Sequence, residues 1–105
     1  IAAVLNMVIY GIKNCDKVRH AMKQAQADGH APTLHDFRVD GIDSELVSAF
    51  LQDLTMAEMV NKRSTTWKQL SEEQKNQVDV PLLVAHPTLI KRPVIQHNQQ
   101  YRIGL

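Results

Sequence analysis

Apolar and polar positions change their period several times along the chain, and each change marks an element. Met7 to Tyr10 is a short apolar run ending at Gly11, the pattern of a first strand. After a polar turn, Val18, Ala21, Met22 and Ala25 recur at i, i+3, i+4 and i+7, one face of a helix from Asp16 to about Asp28. Gly29 stops that helix and Pro32 bars its continuation. Thr33 to Phe37 alternates and predicts a second strand. Strand, helix and strand in roughly 30 residues make a βαβ unit, whose two strands run parallel.

A different rhythm follows. Asp40-Gly41 is a turn signal, and Asp43 or Ser44 can cap a helix with the stripe Leu46, Val47, Phe50, Leu51 and Leu54. Thr55 can cap a short helix holding Met56, Met59 and Val60. Asn61 to Thr66 reads as a polar loop, and Trp67 with Leu70 as a helical turn that packs. Ser71-Glu72-Glu73-Gln74 has capping-box form. Pro81 is expected to interrupt the helix that starts there, with one more helical turn over Leu82 to Ala85. Beyond Pro87, the β-rich runs Pro93 to Gln96 and Tyr101 to Ile103 flank a polar link, Asn98-Gln99-Gln100, and predict a hairpin. The expected fold is α/β: a mixed four-stranded sheet in the order βαβ…ββ, with a helical insertion over about residues 43–86.

Length and composition narrow the partners. The 105 residues suit a single domain, taken here as 7–105. Twelve basic residues against eleven acidic ones leave a net charge of +1, which argues against a nucleic-acid binder. A single cysteine excludes an internal disulfide and, with five histidines that share no paired spacing, argues against a zinc site, so no metal is expected. No apolar run approaches the ~18 residues of a membrane span. Ile1 to Leu5 lack the basic start and the length of a signal peptide, so the chain is expected to be cytoplasmic. Met7 can be the initiator, with residues 1–6 a cloning remnant or flexible extension of no function. One predicted helix cannot cover both sheet faces, so a further helix beyond Leu105 is expected.

The candidate chemistry sits where the first strand hands over to the first helix. Cys15, the sole thiol, lies at that helix N-terminus, where unpaired N–H groups and the positive end of the dipole favour thiolate over thiol. Lys13 and Lys17 flank it with positive charge, and Asn14 can hydrogen-bond the turn backbone. Arg92 precedes a proline that restricts the local backbone, and Arg63 lies in the polar loop; both can bind an anion. An inert, packed cysteine and ordinary solvated arginines are the plain alternative.

Four motifs in order resemble those of the ArsC/Spx family: Tyr10-Gly11-Ile12-Lys13-Asn14-Cys15-Asp16, His35-Asp36-Phe37-Arg38-Val39-Asp40-Gly41, Arg63-Ser64-Thr65-Thr66-Trp67-Lys68 and Ile90-Lys91-Arg92-Pro93. The resemblance spans residues 7–105 and is greatest to the YffB-type branch. It implies a thioredoxin-like fold with a helical insertion. In the arsenate reductases of the family, a cysteine in this turn attacks arsenate, glutathione joins the adduct, and glutaredoxin completes the reduction. Cys15 matches that cysteine and Arg92 one oxyanion-binding arginine. Arg63 matches the arginine of the Spx and YffB branches and is offset from that of the arsenate reductases. The third arginine has no counterpart in register, Arg102 being merely near, so weak or absent arsenate reduction is expected. Spx-type regulators carry a second cysteine where this chain has Val18, which excludes an intramolecular redox switch.

The resemblance thus implies a glutathione-linked thiol oxidoreductase with Cys15 as nucleophile, with Arg92 and Arg63, aided by Asn14 and Lys13, binding an anionic substrate or a glutathione carboxylate. No bound cofactor is implied; glutathione is the co-substrate and glutaredoxin a further partner. Pro93 is expected to be structural, with a cis Arg92–Pro93 bond bringing Arg92 toward Cys15. The alternative function is a non-enzymatic Spx-like adaptor docking on RNA polymerase or another protein.

Overall fold

The computed structural model describes residues 6–104. They belong to two compact units, Ile42–Lys91 and the flanking chain, Ile1–Gly41 with Arg92–Leu105. Asn6, grouped above with the leading segment, already belongs to a strand, whereas Ile1 to Leu5 and any helix after Leu105 lie outside the described residues.

The flanking unit contains β1 (Asn6–Gly11), α1 (Asp16–Ala27), β2 (Ala31–Asp36), β3 (Val94–His97) and β4 (Gln100–Ile103). The sheet order is β2-β1-β3-β4, with β1 parallel to β2 and antiparallel to β3, and β3 antiparallel to β4. The expected mixed four-stranded sheet is therefore present. Alternation sends Met7 and Ile9 to the face where Val18, Ala21 and Ala25 of α1 pack, with Ile95 beside them. The predicted helical stripe is the buried one. Its end is a Schellman motif: Gly29 has φ +88, its N–H donates to the Gln26 carbonyl, and that of His30 to the Ala25 carbonyl.

Two details depart from the expectation. β2 begins at Ala31 and includes Pro32, where a break was expected. β2 is an edge strand, so the N–H that proline lacks need not be missed by a neighbour. The β3–β4 hairpin is tighter than the expected link, because Gln100 already pairs with His97. Asn98 and Gln99 alone make the turn, with φ of 53 and 64. Two left-handed residues match the twist of adjacent strands, and that geometry outweighs the discomfort of Gln99.

The Ile42–Lys91 unit is a run of short helices: α2 (Ser44–Phe50), α3 (Met56–Met59), α4 (Thr65–Gln69), α5 (Glu72–Asn76) and α6 (Val80–Ala85), then a single 3₁₀ turn at Pro87–Leu89. Asp43, Thr55, Ser64, Ser71 and Asp79 each accept a first-turn N–H, and Thr55 and Ser71 form full capping boxes. α2 stops at Phe50, short of the expected Leu54. Thr65 and Thr66 are helical, not loop, because Ser64 caps α4. Pro81 does not interrupt a helix; it lies in the first turn of α6, where its missing N–H costs nothing. No described helix is long and apolar enough to cross a membrane.

On the sheet face away from α1, the Tyr10 ring lies 5.0 Å from that of His35 and 6.0 Å from that of Tyr101, and its hydroxyl donates to Gln96 Oε1 at 3.3 Å. Burial, with smaller contributions from the charge and hydrogen bond of Tyr101, pushes the Tyr10 phenol up to about 12 from 10.0. The folded state therefore holds a proton that the unfolded chain releases, and stability present below pH 10 is lost as pH rises toward 12. Urea unfolding at pH 10 to 12 is expected to show this loss, and Tyr10→Phe to flatten it; an unchanged slope in the variant would assign the loss to other groups.

A Cβ added at Gly11 would lie 2.5 Å from Val18 Cγ2, a methyl on a stiff branched side chain that is itself buried. Gly11→Ala is expected to cost about 1–3 kcal/mol in urea unfolding. That cost should shrink in a Val18→Ala background, and equal costs in both backgrounds would refute the steric account.

Candidate active site

The site is built where β1 gives way to α1. The turn Ile12-Lys13-Asn14-Cys15 closes with the Cys15 N–H donating to the Ile12 carbonyl at 3.0 Å. Cys15 is the N-cap of α1, with φ −91 and ψ 126, and its carbonyl accepts the Arg19 N–H at 3.0 Å. Its side chain makes no capping hydrogen bond, so the first-turn N–H groups stay available to another acceptor. The thiol is half-buried and packs against the Met7–Ile9–Val18 cluster. The strand-to-helix placement read from the sequence is thus observed.

Lys13 and Asn14 are exposed in that turn. The Asn14 side chain, which can hydrogen-bond a turn backbone, makes no hydrogen bond among the described residues. The turn is held instead by Asp36, at the end of β2. One carboxylate oxygen, Oδ2, accepts the Lys13 N–H at 3.1 Å, and the other, Oδ1, accepts the Arg38 N–H at 2.8 Å. Asp36 is only 7% exposed and is the one buried charged residue among those described.

Arg92 reaches the site from the other end of the chain. Its peptide bond to Pro93 is cis, as the resemblance implied, and Pro93 is buried, its carbonyl accepting the Gly104 N–H at 2.9 Å. Arg92 Cγ would be 3.7 Å from a Cβ at Gly11. With Asp16, Lys17, His20, Ala21, Pro93, Ile103 and Gly104, it lines an open cavity of about 510 Å³ beside the first turns of α1. The half-buried guanidinium has no hydrogen bond or ion pair among the described residues, and none to the Cys15 sulfur. Asp16 is already paired with Arg19, so Arg92 and Lys17 leave the cavity positive.

Arg63 belongs to the other unit. It is exposed just before α4, and its backbone N–H donates to Asn61 Oδ1 at 3.0 Å. Arg102 is exposed on β4. The flanking unit therefore gathers Cys15, Lys13, Asn14, Arg92 and Pro93, and Arg63 is not part of it. No group of three or more potential metal ligands occurs among the described residues.

Two residues of this region were given no role from the sequence, although Asp36 lies in one of the four motifs. His20 follows Asp16 and Lys17 at helical spacing, a signal that they share a face. Asp36 gave no comparable signal, because its partner Lys13 is 23 positions away.

Comparison with known proteins agrees with this geometry. The ArsC family model matches residues 10–105. An uncharacterized protein of Haemophilus influenzae is 41% identical over 102 residues, covering 93% of this chain and 90% of that protein. The solved YFFB protein is 31% identical with a TM-score of 0.85, over 94% of this chain and 90% of its own. An arsenate reductase (ArsC) related protein from Brucella melitensis is 30% identical with a TM-score of 0.81, over 100% of this chain and 91% of its own. An arsenate reductase from Vibrio cholerae, at 23% identity and a TM-score of 0.77 over 97% and 92% of the two chains, shares the fold. With a thioredoxin-like fold common to these structures and a family match running from Tyr10 through the Cys15 turn and Arg92-Pro93 to the last residue, the chain belongs to the ArsC family.

Proposed function

We propose that the protein is a glutathione-linked thiol oxidoreductase of the ArsC type, with Cys15 as its nucleophile. One observation carries the reading: the residue with the sole thiol is the N-cap of α1, next in the chain to Asp16 and Lys17 of a positive cavity whose Arg92 guanidinium has no partner of its own among the described residues. A guanidinium placed in this way suits a carboxylate or oxyanion, which it can hold by charge-assisted hydrogen bonds. Lys17 adds positive charge, and Lys13 and Asn14 border the thiol. Family membership and the likeness to an arsenate reductase related protein support the same chemistry.

The reaction is thiol–disulfide exchange. The Cys15 thiolate attacks the glutathionyl sulfur of a mixed disulfide, forming a Cys15–glutathione disulfide and releasing the substrate as a thiolate, which takes a proton from water. With no second cysteine in the chain, the resolving thiol is external: a glutathione thiolate then attacks, giving oxidised glutathione and regenerating the Cys15 thiolate. One disulfide is broken and one made at each step, so two electrons pass from glutathione to the substrate. Glutaredoxin fits as a partner that accepts the adduct. Arg63 joins this reading as a second anion-binding arginine on the strength of the resemblance alone. Arsenate reduction is expected to be weak, because Arg102 is out of register with the family's third arginine.

Intact-mass analysis after incubation with oxidised glutathione tests the proposal. One glutathionyl adduct is expected on the native protein and none on Cys15→Ser. Arg92→Ala should keep its circular dichroism and form the adduct roughly tenfold more slowly, the scale of a lost charge-assisted hydrogen bond. An adduct on Cys15→Ser, or an unchanged rate in Arg92→Ala, would overturn the respective assignment.

A further inference from the structure

We propose that Asp36 is a positioning residue for Cys15, acting through the Lys13 backbone; the inference deepens the thiol-exchange reading and rests on it. The case begins with the turn itself. Ile12 to Cys15 is closed by a single backbone hydrogen bond, and Lys13 and Asn14 are exposed. Nothing in its composition makes it rigid. Rigidity comes from β2: the Phe37 N–H donates to the Gly11 carbonyl at 2.8 Å, and Asp36 Oδ2 accepts the Lys13 N–H at 3.1 Å.

The carboxylate is itself held. Its Oδ1 accepts the Arg38 N–H at 2.8 Å, the Asp36 N–H donates to Asp40 Oδ2 at 2.9 Å, and the Asp36 carbonyl accepts the Asp40 N–H at 2.7 Å. A carboxylate at 7% exposure is costly to bury, and two backbone N–H donors offset that cost. No cationic side chain pairs with it among the described residues. Its acceptor capacity is directed at backbone on two loops, one of which carries the thiol. Loss of that hold would let the turn sample other shapes and shift the thiol relative to the first turn of α1.

The test reads Cys15 with iodoacetamide at fixed pH, a probe that needs no glutathione. Asp36→Ala is expected to slow alkylation of the folded protein about fivefold or more, the factor of one lost hydrogen bond, with Asp36→Asn intermediate because it keeps one acceptor oxygen. The Lys13 amide should lose protection from hydrogen exchange in Asp36→Ala while the amides of the α1 interior keep theirs. If Asp36→Ala fails to fold, Asp36→Asn alone carries the test. An unchanged alkylation rate despite a loosened Lys13 amide would reduce Asp36 to a structural role and overturn the proposal. Retained Lys13 protection would overturn it too. Faster alkylation would mean that the carboxylate acts by its charge, and would also overturn it. Failure of native protein to take up glutathione, with these alkylation results intact, would instead count against the thiol-exchange reading.

Discussion

Gly11 has no side chain because Val18 occupies the space one would need, and this close approach of helix to strand sets the rest of the site. At this distance the last residue of β1 and the first turn of α1 are in contact, so the turn between them must be short and sharp. The turn therefore brings Cys15 directly to the helix N-terminus. The Arg92 chain passes along the same Gly11 backbone, its Cγ at ordinary contact distance from where a Cβ would stand. The missing methyl group thus serves the packing of helix on strand.

The charges around the thiol are arranged with some economy. Asp16, the acidic residue of the first turn of α1, is occupied by Arg19, and the buried Asp36 carboxylate is spent on backbone N–H groups. The cations Arg92 and Lys17 are left to set the sign of the cavity. An anionic group entering it meets donors without having to displace an internal partner from Arg92, and this keeps the cost of binding low.

The Ile42–Lys91 unit solves a different problem. Its helices have four to seven residues, too short to persist on propensity alone. Each begins with an oxygen-bearing side chain that satisfies a first-turn N–H, and Trp67 is flanked by Lys62 and Lys75 ammonium groups at 5.6 and 5.8 Å from its ring. The capping residues decide where each helix starts; the buried Phe50, Met59 and Leu83 anchor α2, α3 and α6, and Leu89 the 3₁₀ turn.

What the sequence by itself determined was local. The α1 stripe, the Thr55 cap, the Ser71 capping box, the strand-to-helix placement of Cys15 and the strand pair after Pro93 all depend on neighbours within about one turn of chain, so spacing alone reveals them. Arg92 stood out by the proline after it, whereas the cis bond between them was legible only through the resemblance to a family. The tertiary structure decided what depends on distant partners. Pro32 belongs to a strand because β2 is an edge, and the hairpin closes at Gln100 because the sheet twist demands a two-residue turn. Pro81 opens a helix because Asp79 caps it. Asp36 finds Lys13, and Arg92 comes beside Gly11, only when β1 is placed between β2 and β3. Periodicity reports which face of an element is buried, and says nothing of which remote side chain will meet it.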